Sequence, residues 1–169
     1  MYRYGIAPCL LGLVGVAWSE DSVYAIELGD SHDAVLNALM GRFPGNLLKP
    51  APCDALATLD TVRTFIDAPI GPLELPLAMQ GTAFQLEVWR ALRQIPVGTT
   101  LTYRELAQKL GKADAVRAVA NACGANHLAV AVPCHRIVRS DGGLGGYRWG
   151  LERKKALLNL EATLAASAS

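Results

Sequence analysis

Apolar and polar positions recur with two different periods along the chain. From Tyr2 to Leu28, β-branched and aromatic residues run in short stretches broken by Gly5, Gly12, Gly15 and the polar cluster Ser19-Glu20-Asp21-Ser22. Leu13 to Trp18 and Val23 to Leu28 therefore read as a hairpin, with Tyr2 to Ile6 as a further strand. From Asp33 to Arg42 the period lengthens. Val35, Leu36, Leu39 and Met40 form a helical stripe that Phe43-Pro44-Gly45 ends. A second helix is expected from Asp54 to Asp67, burying Leu56, Leu59, Val62, Phe65 and Ile66. Ala68 to Pro76, with three prolines, reads as a linker, and Leu75 to Met79 as one more short strand.

Beyond Thr82 the pattern becomes short helices separated by tight turns. Phe84 to Leu92 is the first. Thr102-Tyr103-Arg104-Glu105 is a capping box, in which the Thr hydroxyl and the Glu carboxylate satisfy free backbone donors at a helix start. That helix ends at Leu110-Gly111. Asp114 is expected to cap the next, with Val116, Val119, Ala120 and Cys123 on its apolar face and Arg117 and Asn121 on the outer one. Two short helices joined by a glycine-bearing turn read as a helix-turn-helix. Leu151 to Leu164 forms the last helix, with Arg153, Lys154 and Lys155 on its exposed side and Leu157, Leu158 and Leu160 available for packing. The Ala/Ser tail after Leu164 is expected to fray.

Composition narrows the class. The 169 residues are 51% apolar and 18% charged, the balance of a packed globular chain. The net charge of +1 is uneven: residues 1–81 carry 4 Lys/Arg against 9 Asp/Glu, and residues 82–169 carry 12 against 6. A basic half of this kind favours a polyanionic partner. Cys9, Cys53, Cys123 and Cys134 are scattered, without a Cys-x-x-Cys pair, so neither a metal knuckle nor a disulfide framework is indicated. Ile6 to Trp18 is uncharged but is interrupted by Pro8, Gly12 and Gly15 and is too short to span a bilayer. A cytoplasmic protein without membrane association is expected.

The chemistry concentrates at Pro133-Cys134-His135-Arg136. A thiol attacks as thiolate, and a neighbouring His and a cationic Arg are groups that favour that form. Ala129 to Val132 would bury the approach to Cys134. The loop Ser140-Asp141-Gly142-Gly143-Leu144-Gly145-Gly146-Tyr147 suits close backbone approach to a ligand. Glu161, among the leucines of the last helix, is either solvated or available to orient a His.

Six ordered blocks carry a resemblance. They are Gly81-Thr82-Ala83-Phe84-Gln85 with Val88-Trp89, Ile95-Pro96-Val97-Gly98, and Ala115-Val116-Arg117-Ala118-Val119-Ala120. Ala125-Asn126, Pro133-Cys134-His135-Arg136 and Gly146-Tyr147-Arg148-Trp149-Gly150 complete them. Together they resemble the O6-alkylguanine-DNA alkyltransferase family, and most of all the alkyltransferase domain of the bacterial adaptive-response protein. The resemblance implies that Cys134 accepts the alkyl group and that Glu161, His135 and a water relay its proton. Asn126 would brace the turn, and Tyr103 would donate to the departing base. It also implies entry from the minor groove of double-stranded DNA containing an alkylated guanine (and O4-alkylthymine), with the nucleotide flipped out. Arg117 would fill the vacated stack, and Ala118, Asn121 and Arg136 would complete the DNA-facing set. The small residues Ala118, Ala122 and Gly124 would permit close approach to a narrow groove. Backbone near Ile137, Tyr147 and Arg148 would hold the flipped base.

The expected fold is α/β. Residues 1–80 would form a ribonuclease-H-like domain with a small antiparallel sheet. Residues 81–169 would form a mostly helical, winged-helix-like domain carrying both DNA binding and chemistry. Turnover would be single and irreversible, without cofactor or bound metal, by a monomer. A non-catalytic lesion sensor or helix-turn-helix regulator is the alternative, disfavoured by the presence of Cys134. A Cys-His hydrolase would give the second helix no role.

Overall fold

The computed structural model describes residues 1–20 and 22–168; Asp21 of the first polar turn and Ser169 lie outside them. The chain divides into two compact units. One comprises Met1–Pro69, Leu73–Met79 and His127–Ala129, the other Ile70–Pro72, Gln80–Asn126 and Val130–Ser169.

The first unit is built on strands β1 (Tyr2–Cys9), β2 (Gly12–Ser19), β3 (Ser22–Gly29) and β4 (Leu48–Pro50), in the order β3-β2-β1-β4. The β1, β2 and β3 ladders are antiparallel, but β4 runs parallel to β1. The sheet is therefore mixed rather than antiparallel. Only Leu48 of β4 is buried, and three residues are too few to show an alternation, which is why the pattern did not reveal this strand. Tyr4 pairs with Ala17 and Gly5 with Val16, so even positions of β1 share a face with odd positions of β2. Helix α1 (His32–Met40), capped by the Ser31 hydroxyl, sits on that face. A Cβ at Gly15 would lie 2.3 Å from Val35 Cγ1, so only glycine admits the helix there. Helix α2 (Ala57–Asp67) covers the other face, against Gly5. It starts three residues later than the apolar stripe suggested, because a turn at Pro52 to Ala55 precedes it. Phe65 is only partly buried on it. Leu75 to Met79 supplies a single bridge, Leu77 to Val23, rather than a strand. His127–Ala129 adds another at Ile26.

The second unit contains α3 (Ala83–Leu92), β5 (Leu101–Thr102), α4 (Tyr103–Lys109), α5 (Val116–Gly124), β6 (Ile137–Val138) and α6 (Leu151–Ala168). Reciprocal capping boxes start α3 at Thr82/Gln85 and α4 at Thr102/Glu105. Asp114 does not cap α5. It lies within a 3₁₀ turn, Ala113–Ala115, that runs straight into the helix and makes no side-chain cap. Trp89 of α3 donates its indole N–H to the Ala122 carbonyl at 2.8 Å, fixing α3 against α5. β5 and β6 pair in parallel, Leu101 with Ile137, which brings the start of α4 beside the 3₁₀ turn Cys134–Arg136. Helix α6 continues to Ala168, beyond the end expected at Leu164. Among the described residues, no helix is long and apolar enough to cross a membrane.

Candidate active site

Cys134 opens a one-turn 3₁₀ helix and is 6% exposed. The preceding Ala129 to Val132 is buried throughout, as its composition suggested. Within it Val130 has φ +67°, a conformation a β-branched residue adopts only where its surroundings impose it. Asn126 supplies part of that constraint. Its buried Nδ2 donates to the Val132 carbonyl at 2.8 Å and to Cys134 Sγ at 3.3 Å. One side chain thus both shapes the turn and touches the sulfur.

The next two residues point to α6. His135 is fully buried, with Nε2 2.9 Å from Glu161 Oε2. A carboxylate can only accept here, so Nε2 carries the hydrogen and Nδ1 presents a lone pair. Burial pushes the imidazole below its usual value, against the pull of Glu161, and keeps it neutral. Arg136 donates to the same carboxylate from Nε at 2.8 Å and from Nη2 at 2.6 Å, and donates Nη1 to the Ile95 carbonyl at 2.6 Å. Burial alone would raise the Glu161 carboxyl, but the hydrogen bonds from Arg136 and His135 outweigh it and hold the group below the ordinary range. Glu161 is therefore a fixed anion, and His135 a neutral base held in one tautomer.

Cys134 opens onto a cavity of about 270 Å³ lined by Tyr103, Ala120, Asn121, Cys123, Gly124, Gly146, Tyr147 and Arg148. This lies just below the usual range of small-molecule sites, which begins at roughly 300 Å³, and suits one flat ring system. Burial pushes the Cys134 thiol up, while the Asn126 hydrogen bond and the charges of Lys154 and Arg148 draw it down. Tyr103 is pushed up to about 12, mainly by burial, and so remains a hydrogen-bond donor. The Tyr147 hydroxyl is buried without a hydrogen-bond partner among the described residues and is likewise raised, first by burial.

Residues 83–163 match the family model of the DNA-binding domain of 6-O-methylguanine DNA methyltransferase. The chain is 41% identical over 120 residues to the inducible methylated-DNA–protein-cysteine methyltransferase of Bacillus subtilis, covering 71% of this chain and 67% of that protein. The chain belongs to the methylated-DNA–protein-cysteine methyltransferase family. It is also 48% identical over 160 residues to the bifunctional transcriptional activator/DNA repair enzyme Ada of Escherichia coli, covering 95% of this chain and 45% of Ada. It thus spans about half of that relative's length. Among solved structures, the O6-methylguanine methyltransferase of Mycobacterium tuberculosis superposes with a TM-score of 0.78 at 30% identity, covering 96% of this chain and 94% of that one. The same mycobacterial protein in complex with DNA gives the same TM-score at 31% identity.

The methyltransferase fold brings Cys134, His135, Glu161 and Asn126 into direct or consecutive contact and places Tyr103, Tyr147 and Arg148 on the cavity wall. Arg117, Ala118 and Asn121 are exposed on α5, and Asn121 also reaches the cavity. Two expectations are corrected. Arg136 does not face a DNA surface: it is 6% exposed and all three of its hydrogen bonds tie it to Glu161 and Ile95. Nor is it among the charges that act on the thiol. Ile137 opens β6, fully buried, with its amide bonded to the Cys134 carbonyl. Ala122 is buried beneath Trp89, not on the outer face with Ala118 and Gly124. Lys154 was missed as a site residue. Expected on the exposed side of α6, it is fully buried, its Nζ donating to the Gly146 carbonyl at 3.1 Å. The signal was present in the spacing: Lys154, Leu157 and Glu161 fall at i, i+3 and i+7, one helical stripe.

Proposed function

We propose that the chain repairs O6-alkylguanine in double-stranded DNA by transferring the alkyl group irreversibly to its own Cys134. The observation that carries this reading is the buried chain Glu161–His135 behind a thiol that Asn126 holds at a base-sized cavity. Glu161 fixes the imidazole; His135 Nδ1 takes the thiol proton through a bridging water. The sulfur then attacks the carbon on O6 in line. The S–C bond forms, the C–O6 bond breaks, and the electron pair passes to the guanine. Tyr103, still protonated, donates a hydrogen bond to the departing guanine anion, which takes up a proton from water to leave as neutral guanine while His135 returns the thiol proton to solvent. No group on the chain reverses a thioether, so each molecule acts once and needs no cofactor.

The alkylated atom lies inside the duplex, and the nucleotide must leave the stack to reach the cavity. Helices α4 and α5 form the helix-turn-helix that approaches the minor groove. Arg117 fills the vacated stack, and Ala118 and Asn121 lie against the groove. Tyr147 and Arg148 receive the flipped base. In this reading residues 81–169 carry binding and chemistry, residues 1–80 form a separate ribonuclease-H-like domain, and the protein works as a cytoplasmic monomer with its four cysteines as free thiols.

Intact-mass spectrometry after mixing with a duplex containing one O6-methylguanine tests the proposal. One added methyl mapping to Cys134, absent in Cys134→Ala, is expected. Tight lesion binding without a mass change would replace repair by a sensor role.

A further inference from the structure

The transfer chemistry described above leaves Lys154 without a task, yet its placement is costly. Its side chain is fully buried on the inner stripe of α6, and among the described residues no carboxylate pairs with it. Its hydrogen bond to the Gly146 carbonyl is with a neutral group, and its Nζ lies 6.0 Å from the centre of the Tyr103 ring. An ammonium removed from water without a counter-ion destabilises a folded chain, and burial accordingly pushes Lys154 below the usual lysine range. Such a group persists where function requires it.

The groups facing this ammonium identify the function. They are the Tyr103 ring of α4 and the Gly146 carbonyl, both on the wall of the cavity onto which Cys134 opens, with Cys123 of α5 and Cys134 and His135 of the 3₁₀ turn within reach of its charge. Of these, only Cys134 must become an anion for alkyl transfer. Arg148 also favours the anion, but it is exposed and its field is screened by solvent. The field of Lys154 is not. The same charge disfavours protonation of His135, so it helps keep the base neutral.

We propose that Lys154 is a positioning residue for the transfer: its buried ammonium, anchored on the Gly146 carbonyl, stabilises the anionic sulfur of Cys134 as the thiol proton leaves. The inference rests on the alkyl-transfer reading of the site and adds to it the charge that makes the nucleophile available.

Lys154→Met removes the charge and fills the space. Lys154→Gln removes the charge but retains a donor for Gly146. Three measurements on the full chain decide the matter: melting temperature, single-turnover methyl transfer from the lesion duplex, and the pH profile of Cys134 alkylation by iodoacetamide, read by peptide mass. Lys154→Met should melt at or above the wild-type temperature. Its iodoacetamide profile should move up by about one pH unit, and methyl transfer near neutral pH should slow roughly tenfold. Lys154→Gln should be as slow. An unmoved profile in Lys154→Met, or transfer by Lys154→Gln at the wild-type rate, would overturn the proposal; the latter would show that the hydrogen bond alone is needed. If the wild-type chain took no methyl from the lesion, the alkyl-transfer reading would fail. The iodoacetamide profile requires no DNA and would still report whether Lys154 sets the ionisation of Cys134.

Discussion

Replacing Glu161 by Gln removes one charge and almost no volume, so its effects can be traced to the two donors that the carboxylate serves. The Arg136 guanidinium is 6% exposed and makes its two hydrogen bonds to Glu161 at 2.8 and 2.6 Å. With glutamine in its place the guanidinium becomes a buried cation without a counter-charge, left with one amide oxygen and the Ile95 carbonyl as acceptors. Breaking a buried pair in this way costs about 3–5 kcal/mol. At roughly 2–4 °C per kcal/mol for a chain of this size, the melting temperature should fall by about 6–20 °C. Methyl transfer should fall independently of stability. A glutamine can present its N–H as readily as its oxygen to His135 Nε2, and the tautomer that leaves Nδ1 basic is no longer enforced. A loss of roughly 10²- to 10⁴-fold is expected. The assay pairs thermal melting by circular dichroism with quenched-flow single-turnover transfer well below the variant's transition. The double variant Glu161→Gln/Arg136→Met separates the two effects: it should regain most of the melting temperature and none of the rate. An unchanged melting temperature in the single variant, or near-wild-type transfer in the double, would refute the reasoning.

Other outcomes follow from the same geometry. Asn126→Ala leaves the buried Val132 carbonyl without its donor, which should cost about 1–3 kcal/mol in a denaturant titration, and slows transfer through loss of the contact to Cys134 Sγ. Arg117→Ala, at an exposed position, should change stability by no more than about 0.5 kcal/mol. It should slow transfer from duplex DNA much more than from free O6-methylguanine base; equal slowing of both would exclude a role in flipping. The buried His135 has its folded pKa below the ordinary 6.5, so its contribution to stability is complete above that pH and is lost as pH falls through the folded value. Glu161, depressed from 4.5, adds a second loss lower still. Melting curves and single-turnover rates should both hold down to pH 6.5 and decline below it, and an acid limb centred at or above 6.5 would contradict a neutral, buried base. Gly145 has φ +75°, and a Cβ there would lie 2.9 Å from Tyr103 Cε2. Gly145→Ala should therefore displace Tyr103 and slow transfer while leaving duplex affinity measured by fluorescence anisotropy unchanged.

Local signals in the chain already determined much of this protein. Short β-branched and aromatic stretches between glycine and polar breaks specified β1 to β3, because such residues favour extended backbone and the breaks turn it, and the Thr102-to-Glu105 capping box placed the start of α4, because its hydrogen bonds join residues three apart. The ordered motifs likewise pointed to Asn126, Cys134 and His135, which the fold brings together beside Glu161. Where a decision depended on what lies opposite a residue, the pattern could not make it. Arg136 and Lys154 carry charges that in isolation belong in water. One is buried because Glu161, 25 residues away, accepts its hydrogen bonds, the other because α6 turns that stripe inward. Ala122 and Ile137 were likewise settled by what packs over them: an indole from α3 and the β5–β6 pairing. Composition, periodicity and caps act between near neighbours along the chain and can be read from it. The partner of a buried charge, and hence whether it binds DNA, fixes a carboxylate or tunes a thiol, is decided by contacts distant in sequence that exist only once the chain has folded.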